Sequence, residues 1–547
     1  MAPEMLGAAR LTRYSFSRML LRTVAREGWT AERAHFDLDE RGQGEAIYCW
    51  EIDGRPFHFV AFTRVLDESL HTDRVVADEW EISAALVEGM LDHVLLESLR
   101  HNVPRQEKGR LDDRVLVLTR GNRSVRFFDY LVDTLANGEQ PDPTLVGDAG
   151  YIMRSTAFYG NGKFGMRSFD TYEPEHPFAI PYRAQFAAAF FFRELSYDSV
   201  EHCARLRGGD RAVEFDDEWR RFFGLGNATG LGLVPYAFNH PAVMHAWASV
   251  REIALADVRA MPATPELVAR LDGWIERARV HFAGGTDDDC TPFLSPAELV
   301  PLIDEIAAAR SELGEVSDLF ERLYLWAEER HPEAAELVVS LLIELHDADD
   351  TEVDAWLSVD EDRGLDPTLT VGEVRELLDR RFPWLDDLRA DAALADAYWW
   401  VVSDNNEEPR RVRRDRMAPE GRDVAIDIAN RLRRLRSTLE TTAPDRQILD
   451  VVREHADHAH AVRRVVTSRH PYGEPRDNAC ALEFLPLQTQ RFQLAFYGMD
   501  NFKPKSTDWL RVTLFQGAPR LADVDAPAVI GADDWVLPAL PSAGSSS

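Results

Sequence analysis

The sequence predicts an α+β protein that is mostly helical, and three patterns lead to this prediction. Two runs of strand-forming residues flank Asp53-Gly54, a helical period dominates residues 264–470, and alternating hydrophobicity returns in about the last 75 residues. We expect an N-terminal antiparallel sheet with helices, a central antiparallel helical bundle and a C-terminal β-hairpin. The predicted domains are 1–145, an α+β domain; 146–262, a glycine-rich segment; 263–470, the bundle; and 471–547, the hairpin and a polar tail.

The N-terminal region alternates between helix and strand patterns. The dipeptide Asp53-Gly54 supplies the positive φ angles of a tight hairpin turn between two of its strands. The predicted elements are, in order, a helix in 10–27, strands at 34–38, 45–52 and 56–65, a helix at 79–99 and a strand at 115–118. We expect these strands to form a sheet covered on one face by helices.

Two glycine-rich stretches, 159–168 and 223–232, mark the central segment. A helix at about 183–206 separates them and is hydrophobic on every side, so it must be enclosed by other elements. Both stretches are therefore expected to lie against the core. The second stretch is not a dinucleotide-binding loop, because a helical pattern precedes it and Pro235 soon follows.

Helical patterns dominate the region that follows. Apolar residues at alternating spacings of three and four predict one long helix within 295–327, after a capping box. Similar patterns at 267–278 and 448–466 supply its partners in the bundle. Near the C-terminus, 492–496 and 509–515 are predicted strands, joined by a loop that contains Lys503 and Lys505.

Composition limits the classes of function. The 547 residues carry a formal net charge of −32, which argues against nucleic acid or an anionic membrane as a partner. No run of about 18 apolar residues occurs and no signal-type segment opens the chain, so we expect a cytoplasmic protein without a membrane span. The four cysteines are too dispersed for a zinc site or a disulfide framework, which predicts reduced thiols.

The first glycine-rich stretch is the leading candidate site. Gly160 and Gly162 allow backbone amides to converge on an anion, and Lys163 and Arg167 supply positive charge. The spacing is not that of a P-loop, and a plain glycine turn with a solvated lysine is the alternative interpretation. A proton-transfer or Schiff-base role for Lys163 is a third. The only four lysines are Lys108, Lys163, Lys503 and Lys505.

The second stretch leads to the candidate acid or base. Asn239-His240-Pro241 begins a predicted helix, and the helix dipole at its entrance favours a neutral imidazole. His240 would transfer a proton, Asn239 would orient the substrate, and Asn227 would line the pocket. The alternative is a histidine that caps the helix or is buried for structural reasons.

Metal-binding and arginine-rich patterns are weaker candidates. Glu328 and His331 have the Glu-x-x-His spacing of di-iron bundles, but the other pairs of this spacing, such as Glu32 with His35, fall in predicted strands or loops. Three histidines do not all share one helix face: His455, His458 and His460. The run 403–416 follows two tryptophans and changes from acidic to basic residues. Its arginines could bind an anionic ligand beside the tryptophan rings. The alternative is a charged loop whose acidic and basic residues compensate one another.

These patterns lead to one expected function and two alternatives. We expect an enzyme with lyase or transferase chemistry on a small anionic metabolite, carboxylated or phosphorylated, whose anion Lys163 and Arg167 bind while His240 transfers a proton. Lys503 and Lys505 are further candidate substrate-binding residues. The alternatives are a non-catalytic binding or scaffolding protein and a metal-dependent helical-bundle enzyme. No motif indicates a cofactor, a metal site or an oligomeric state.

Overall fold

The computed structural model describes helices packed with one large mixed sheet, so the predicted α+β class is confirmed. Every structural statement below concerns the described residues. These are residues 12–67, 80–105, 113–147, 149–160, 176–178, 183–227, 241–283, 296–330, 332–346, 368–383, 385, 398–403, 406–413, 421–423, 428–458, 461–462, 465–466, 468, 502–506, 509–524 and 537–542.

The chain divides into two compact units, each assembled from discontinuous stretches. The sheet unit comprises Leu11–Gly230, Ala269–Ala308 and Gly498–Ser547. The second unit comprises Met1–Arg10, Leu231–Val268 and Ala309–Tyr497. The division into four consecutive domains stays a prediction.

Twelve strands and fourteen α-helices lie in the described part of the chain. The strands are β1 (Thr30–Leu38), β2 (Gly44–Ile52), β3 (Arg55–Thr63), β4 (Ile82–Glu88), β5 (Val115–Arg123), β6 (Tyr151–Gly160), β7 (Gly224–Asn227), β8 (Tyr398–Ser403), β9 (Asn406–Arg413), β10 (Gly421–Asp423), β11 (Phe502–Ser506) and β12 (Trp509–Leu514). The helices are α1 (Phe16–Glu27), α2 (His93–Asn102), α3 (Phe128–Ala136), α4 (Pro143–Val146), α5 (Arg183–Gly208), α6 (Asp217–Phe222), α7 (Pro241–Ala260), α8 (Pro265–Ala283), α9 (Pro296–Leu313), α10 (Leu319–Glu328), α11 (Pro332–Leu342), α12 (Val371–Arg381), α13 (Ile428–Glu440) and α14 (Ile448–Glu454).

The nine strands of the sheet unit form one sheet in the order β1-β2-β3-β4-β5-β6-β7-β12-β11. Among these described strands all neighbours pair antiparallel except β6 and β7, which run parallel. A parallel pair needs a crossover connection, and α5, which lies between β6 and β7 in sequence, provides it. Strands β11 and β12 come from the other end of the chain and extend the sheet beyond β7.

Helix α5 forms the centre of the sheet unit. Phe190 and Phe191 are fully buried, and their ring centroids lie 6.1 and 4.4 Å from that of Trp50 on β2. On its other side Phe190 contacts Phe515, just after β12, at 5.2 Å. Because one side chain meets both regions of the sheet, the sheet curls around α5. The prediction that this aromatic helix is enclosed is confirmed.

The turn between β2 and β3 forms as predicted. Ile52 pairs with Arg55, and the two residues between them have positive φ angles, 52° at Asp53 and 75° at Gly54. Positive φ at both central positions defines the type I′ turn that matches the twist of a hairpin. The strands predicted on either side are β2 and β3.

The helix predicted over 79–99 is wrong in its first half. Residues 82–88 form β4, and α2 begins only at His93, capped by the Asp92 carboxylate, which accepts a hydrogen bond from Leu95 N at 2.8 Å. The strand Ile82–Glu88 is buried along almost its whole length between β3 and β5, so it has no polar face. Without alternation, its sequence cannot be distinguished from that of a buried helix.

Two predicted long helices are interrupted. The helix within 295–327 divides into α9 and α10 because Gly314 has a φ of 66°, the left-handed conformation typical of a helix C-terminus. The pattern at 448–466 forms α14 to Glu454 and is broken by a short 3₁₀ turn at 456–458, after which the described residues 461–462 and 465–466 are helical again. Apolar residues keep the helical spacing across both breaks, so the spacing alone predicted continuous helices.

Three predicted loops contain strands. Gly224 and Gly226 of the second glycine-rich stretch belong to β7, and Lys503 and Lys505 belong to β11, which pairs with β12. The run 403–416 contributes to β8 and β9, whose register pairs Trp400 with Arg411. Polar or glycine-rich composition predicted loops here. Pairing overrides that local signal: β7 pairs with the distant strands β6 and β12, whereas β8 and β11 each pair with the next strand along the chain. The predicted strand at 492–496 lies outside the described residues.

The second unit combines helices with a small sheet in the order β10-β8-β9. Arg259 on α7 forms an ion pair with Glu321 on α10 at 2.5 Å and lies over the Tyr324 ring, 4.1 Å from its centroid. Every residue from 333 to 346, along α11 and the turn after it, is buried. Helix α11 is therefore a central element of this unit.

Candidate functional site

The ends of three strands define one edge of the sheet, which we call the carboxyl edge. Strands β4 and β6 both pair antiparallel with β5, and β7 runs parallel to β6, so all three end on the same side. Their last residues are Glu88, Gly160 and Asn227. Because neighbouring strands lie about 4.8 Å apart, Glu88 and Gly160 end strands separated by about 10 Å.

The candidate residues within the described strands lie at different levels along the sheet. Gly160 ends β6, opposite Val117, whereas Asn227 ends β7 level with Ser155, about 16 Å short of Gly160 along the strand direction. On β11, Lys503 pairs with Arg511 of β12. The next residue of β12, Val512, pairs with Asn227 of β7. Lys505 lies nearer the turn of the same pair of strands. Gly162, Lys163, Arg167, Asn239 and His240 lie outside the described residues.

Asn227 is held by a buried hydrogen-bond chain. Its Nδ2 donates to Ser155 Oγ at 3.1 Å, and the Ser155 hydroxyl donates to the Gly226 carbonyl at 3.4 Å. A Cβ at Gly226 would lie 2.8 Å from the Tyr151 ring, so strand packing requires this glycine. Gly226 therefore serves the packing of β7 against β6 rather than a phosphate loop.

A second polar cluster at the edge joins β3 and β4 to the chain that leads into α5. His176 Nδ1 accepts a hydrogen bond from Phe178 N at 3.0 Å, so the ring proton is on Nε2, which donates to Glu88 Oε2 at 3.1 Å. Arg55 forms an ion pair with Glu88 Oε1 at 2.9 Å. The hydrogen bond from His176 and the charge of Arg55 lower the pKa of Glu88. Sequence analysis missed His176, because its partner is 88 residues away.

The first turn of α5 faces the same edge. The chain leaves β6 at the carboxyl edge and returns along α5 to the start of β7, so the helix begins near that edge. At the far end of α5, His202 Nε2 contacts the Leu38 carbonyl at 2.7 Å, at the opposite edge. Unpaired N–H groups and the helix dipole give a helix N-terminus positive potential.

One face of α5 carries a buried ionic network. Arg520 forms ion pairs with Glu194 at 2.8 Å and Asp198 at 3.5 Å, and Tyr48 donates a hydrogen bond to Asp198 at 2.7 Å. Burial raises the pKa of Asp198 and raises that of Tyr197, in the same network, to about 12. Since the charges are paired within the network, it binds the chain after β12 to α5 rather than offering a reactive group.

The second unit contains a buried polar row that sequence analysis also missed. At spacings of three, four and four, it consists of Glu333, Glu336, Ser340 and Glu344. All four are at most 4% exposed, and Arg251 on α7 forms an ion pair with Glu336 at 3.1 Å. Polar residues at helical spacing in an otherwise apolar segment were the available signal.

Two residues of the metal-binding patterns, among those that the structure describes, contact neighbouring side chains. Glu328 accepts a hydrogen bond from Tyr324 at 2.9 Å, and His458 contacts Thr438 at 2.9 Å. His331 and His460 lie outside the described residues. Within the described part of the chain, no group of three or more His, Cys, Asp or Glu side chains is placed to hold a metal ion. Burial raises the pKa of the Cys49 thiol to about 11, which makes it unreactive.

Comparison with known proteins gives no relative: no family model, no curated protein and no solved structure matches this chain. Of the helices that the structure describes, none combines the length and hydrophobicity needed to cross a membrane. The case for a function therefore depends on the carboxyl edge itself.

Proposed function

We propose that this chain is an enzyme that binds a small anionic metabolite, carboxylated or phosphorylated, at the carboxyl edge of β6 and β7. One observation carries the proposal: the β6–α5–β7 crossover contains the parallel pair of the described sheet. Ligands of parallel sheets bind outside the carboxyl ends of the strands, and a helix N-terminus favours negative charge.

The proposed roles follow the chain from these strand ends. Lys163 and Arg167 follow β6 directly in sequence and would bind the anion, with Gly160 and Gly162 allowing backbone N–H groups to approach it. On the neighbouring strands, Asn227, Lys503 and Lys505 would complete the substrate-binding set.

The proposed chemistry is of the lyase or transferase type. His240 would transfer a proton and Asn239 would orient the substrate. The net charge of −32 supports a small anion rather than nucleic acid or a membrane as partner, and a cytoplasmic location is proposed with it. In the finer architecture that we propose, the helices within 263–470 form a bundle that the strands β8, β9 and β10 interrupt in sequence, and the C-terminal region forms a β-hairpin, which the antiparallel β11–β12 pair supports.

The proposal predicts that Lys163→Ala loses anion affinity while folding is unchanged. A panel of phosphorylated and carboxylated metabolites is first screened by thermal shift, since a ligand at about 100 times its Kd stabilises by about 2.7 kcal/mol. For each ligand found, calorimetry should show a loss of about 1.5–3 kcal/mol, the range for hydrogen bonds to charged groups. Lys163→Arg should keep part of the affinity if the lysine only binds the anion.

Lys108→Ala is the matched control, because Lys108 is one of the four lysines but lies in Gln106-Glu-Lys-Gly109, whose sequence predicts an exposed turn rather than a glycine-rich stretch. If Lys163→Ala binds the ligand as tightly as Lys108→Ala does, or if no anion in the panel binds the wild type, the proposed function is wrong.

A further inference from the structure

Residues 537–542 lie against helix α8 and form neither a helix nor a strand of their own. His281 Nδ1 on α8 donates a hydrogen bond to the Pro538 carbonyl at 2.7 Å, and Arg277 Nε donates to the Leu537 carbonyl at 3.3 Å. A carbonyl oxygen only accepts, so the proton of the neutral imidazole ring is on Nδ1. Because Arg277 and His281 are four residues apart on one face of the helix, they bind two consecutive carbonyls of the segment.

Two prolines of this segment, Pro538 and Pro541, are buried, whereas Ala539 between them is exposed. Proline fixes its own φ at about −65°, and Pro541 favours an extended backbone at Leu540 before it. Both conditions suit a polyproline II helix, which has three residues per turn, so that residues three apart lie on the same side. The burial pattern therefore indicates that 538–541 pack against the protein with the side that carries both prolines.

The two donors on α8 are held in place by aromatic rings of the same helix. The guanidinium carbon of Arg277 lies 5.6 Å from the centroid of the Trp274 ring, which is buried. The His281 ring lies edge-on to the buried Phe282 ring, with 4.8 Å between centroids. We call the surface formed by Trp274, Arg277 and His281 the α8 face. Proline-rich extended peptides bind to aromatic-lined surfaces of this kind.

Leu537 adopts a backbone conformation that leucine rarely takes. Its φ is 52°, in the left-handed region, and its side chain is 1% exposed. A leucine in this region is strained, and the strain persists only where surrounding contacts hold it. The chain's own segment is therefore bound at a conformational cost. A segment that places its carbonyls and prolines in the same way, without a strained residue before the first proline, would bind more tightly.

We propose that the α8 face is a binding site for an extended segment of a partner protein with two prolines three residues apart, and that residues 537–541 occupy it in the unbound chain. The inference goes beyond the proposed function, because none of these residues belongs to the candidate anion site. A segment on the same chain competes at an effective concentration that reaches the millimolar range. The same segment of a second copy has the same strain and lacks this advantage, so a partner segment without the strain is the occupant that can displace it.

Fluorescence anisotropy measures this competition in the whole chain. The probe is a fluorescein-labelled peptide with the sequence of residues 534–543. In the double variant Pro538→Gly/Pro541→Gly, the chain's own segment loses both buried prolines and should leave the α8 face free. The double variant should therefore bind the probe about tenfold more tightly than the wild type, in which residues 537–541 compete. A peptide of the same composition with its two prolines adjacent should not bind.

Further substitutions in the double variant test the two donors. His281→Ala should raise the Kd of the probe about five- to tenfold, the equivalent of one hydrogen bond. His281→Asn should stay within about threefold, because its amide can donate from near the position of Nδ1. Arg277→Ala should also raise Kd. Its matched control is Arg279→Ala, because Arg279 lies on the same helix but pairs with Asp304 on α9 at 2.8 Å.

Two results would overturn the inference: equal affinity of the double variant and the wild type for the probe, or unchanged affinity in both His281→Ala and Arg277→Ala. If light scattering shows that the wild type associates with rising concentration and the double variant does not, the occupant is the segment of a second copy and the partner assignment is wrong. If the double variant fails to fold, Pro541→Gly alone should still bind the probe more tightly than the wild type, and equal affinity then overturns the inference.

Discussion

Backbone geometry at Asp53 and Gly54 determines how the first hairpin closes. Both residues have positive φ angles, and a Cβ at Gly54 would meet nothing within 4 Å, so conformation rather than space is the constraint there. At Gly226 the reverse holds, since the Tyr151 ring fills the place of a Cβ. Two glycines of one sheet are therefore required for different physical reasons.

We predict that Gly54→Val destabilises the sheet unit by about 1–2 kcal/mol, because a β-branched residue is strained at positive φ. Urea unfolding monitored by tryptophan fluorescence measures this loss. Gly54→Asn is the control, since asparagine tolerates the left-handed region, and it should unfold near the wild-type midpoint. Equal midpoints for the Val variant and the wild type would contradict the type I′ turn.

At this scale the candidate site was only partly predictable. The glycines and Lys163 are noticeable in the sequence because the glycines are clustered and lysine is rare in this chain. His176 does not stand out, since its role comes from Glu88, a residue distant in sequence. Short-range patterns reveal turns and charged segments, whereas a hydrogen bond between distant residues depends on the completed sheet.

For whole helices and strands, some features follow from local sequence signals and others from contacts with residues distant in sequence. The ends of α1 follow from local signals: Ser15 caps its first turn, and Gly28 ends it at a φ of 66°. The division between α9 and α10 at Gly314 is also local, yet the hydrophobic pattern continues across it. Strand β4 was missed for another reason, because it is buried along almost its whole length and its sequence does not alternate.

The division of the long helix at Gly314 predicts different effects for two substitutions on α9. Ile306 is fully buried, so Ile306→Asp should cost about 4 kcal/mol or more by burying an unpaired carboxylate. Leu313 is only half-buried at the last residue of the helix, so Leu313→Asp should cost about 1 kcal/mol. Denaturant unfolding of both variants compares them. Equal, large losses would instead favour one continuous helix.

At the scale of the molecule, the sheet unit depends on residues from both ends of the chain. Buried Arg193 on α5 donates to the Ala518 carbonyl at 2.6 Å and to the Pro519 carbonyl at 2.8 Å, and Arg520 pairs with Glu194. The sequence indicates strands near both ends, but no local pattern shows that β12 pairs with β7. Pairing between distant strands depends on how they pack in the folded chain, which is why the order of the sheet could not be predicted.

This arrangement predicts that a chain ending at residue 497 loses cooperative unfolding of the sheet unit. It would lack β11 and β12, leave β7 as an unpaired edge, and remove Phe515 from the enclosure of α5. Arg193 would lose the Ala518 and Pro519 carbonyls as acceptors, and Glu194 would lose its ion pair with Arg520, a loss of about 3–5 kcal/mol for a buried pair. Hydrogen exchange across β6 and β7 measures the effect.

A separately produced fragment of residues 498–547 provides the internal test of this prediction. It contains β11, β12 and Arg520, so adding it to the truncated chain should restore slow exchange in β7, which pairs with β12. The same fragment carrying Arg520→Ala should restore it less well, because Glu194 and Asp198 would lose their ion pairs with Arg520 and keep only those with Arg193 and Arg33. Slow exchange in the truncated chain alone would show that β7 does not need its C-terminal partner strand.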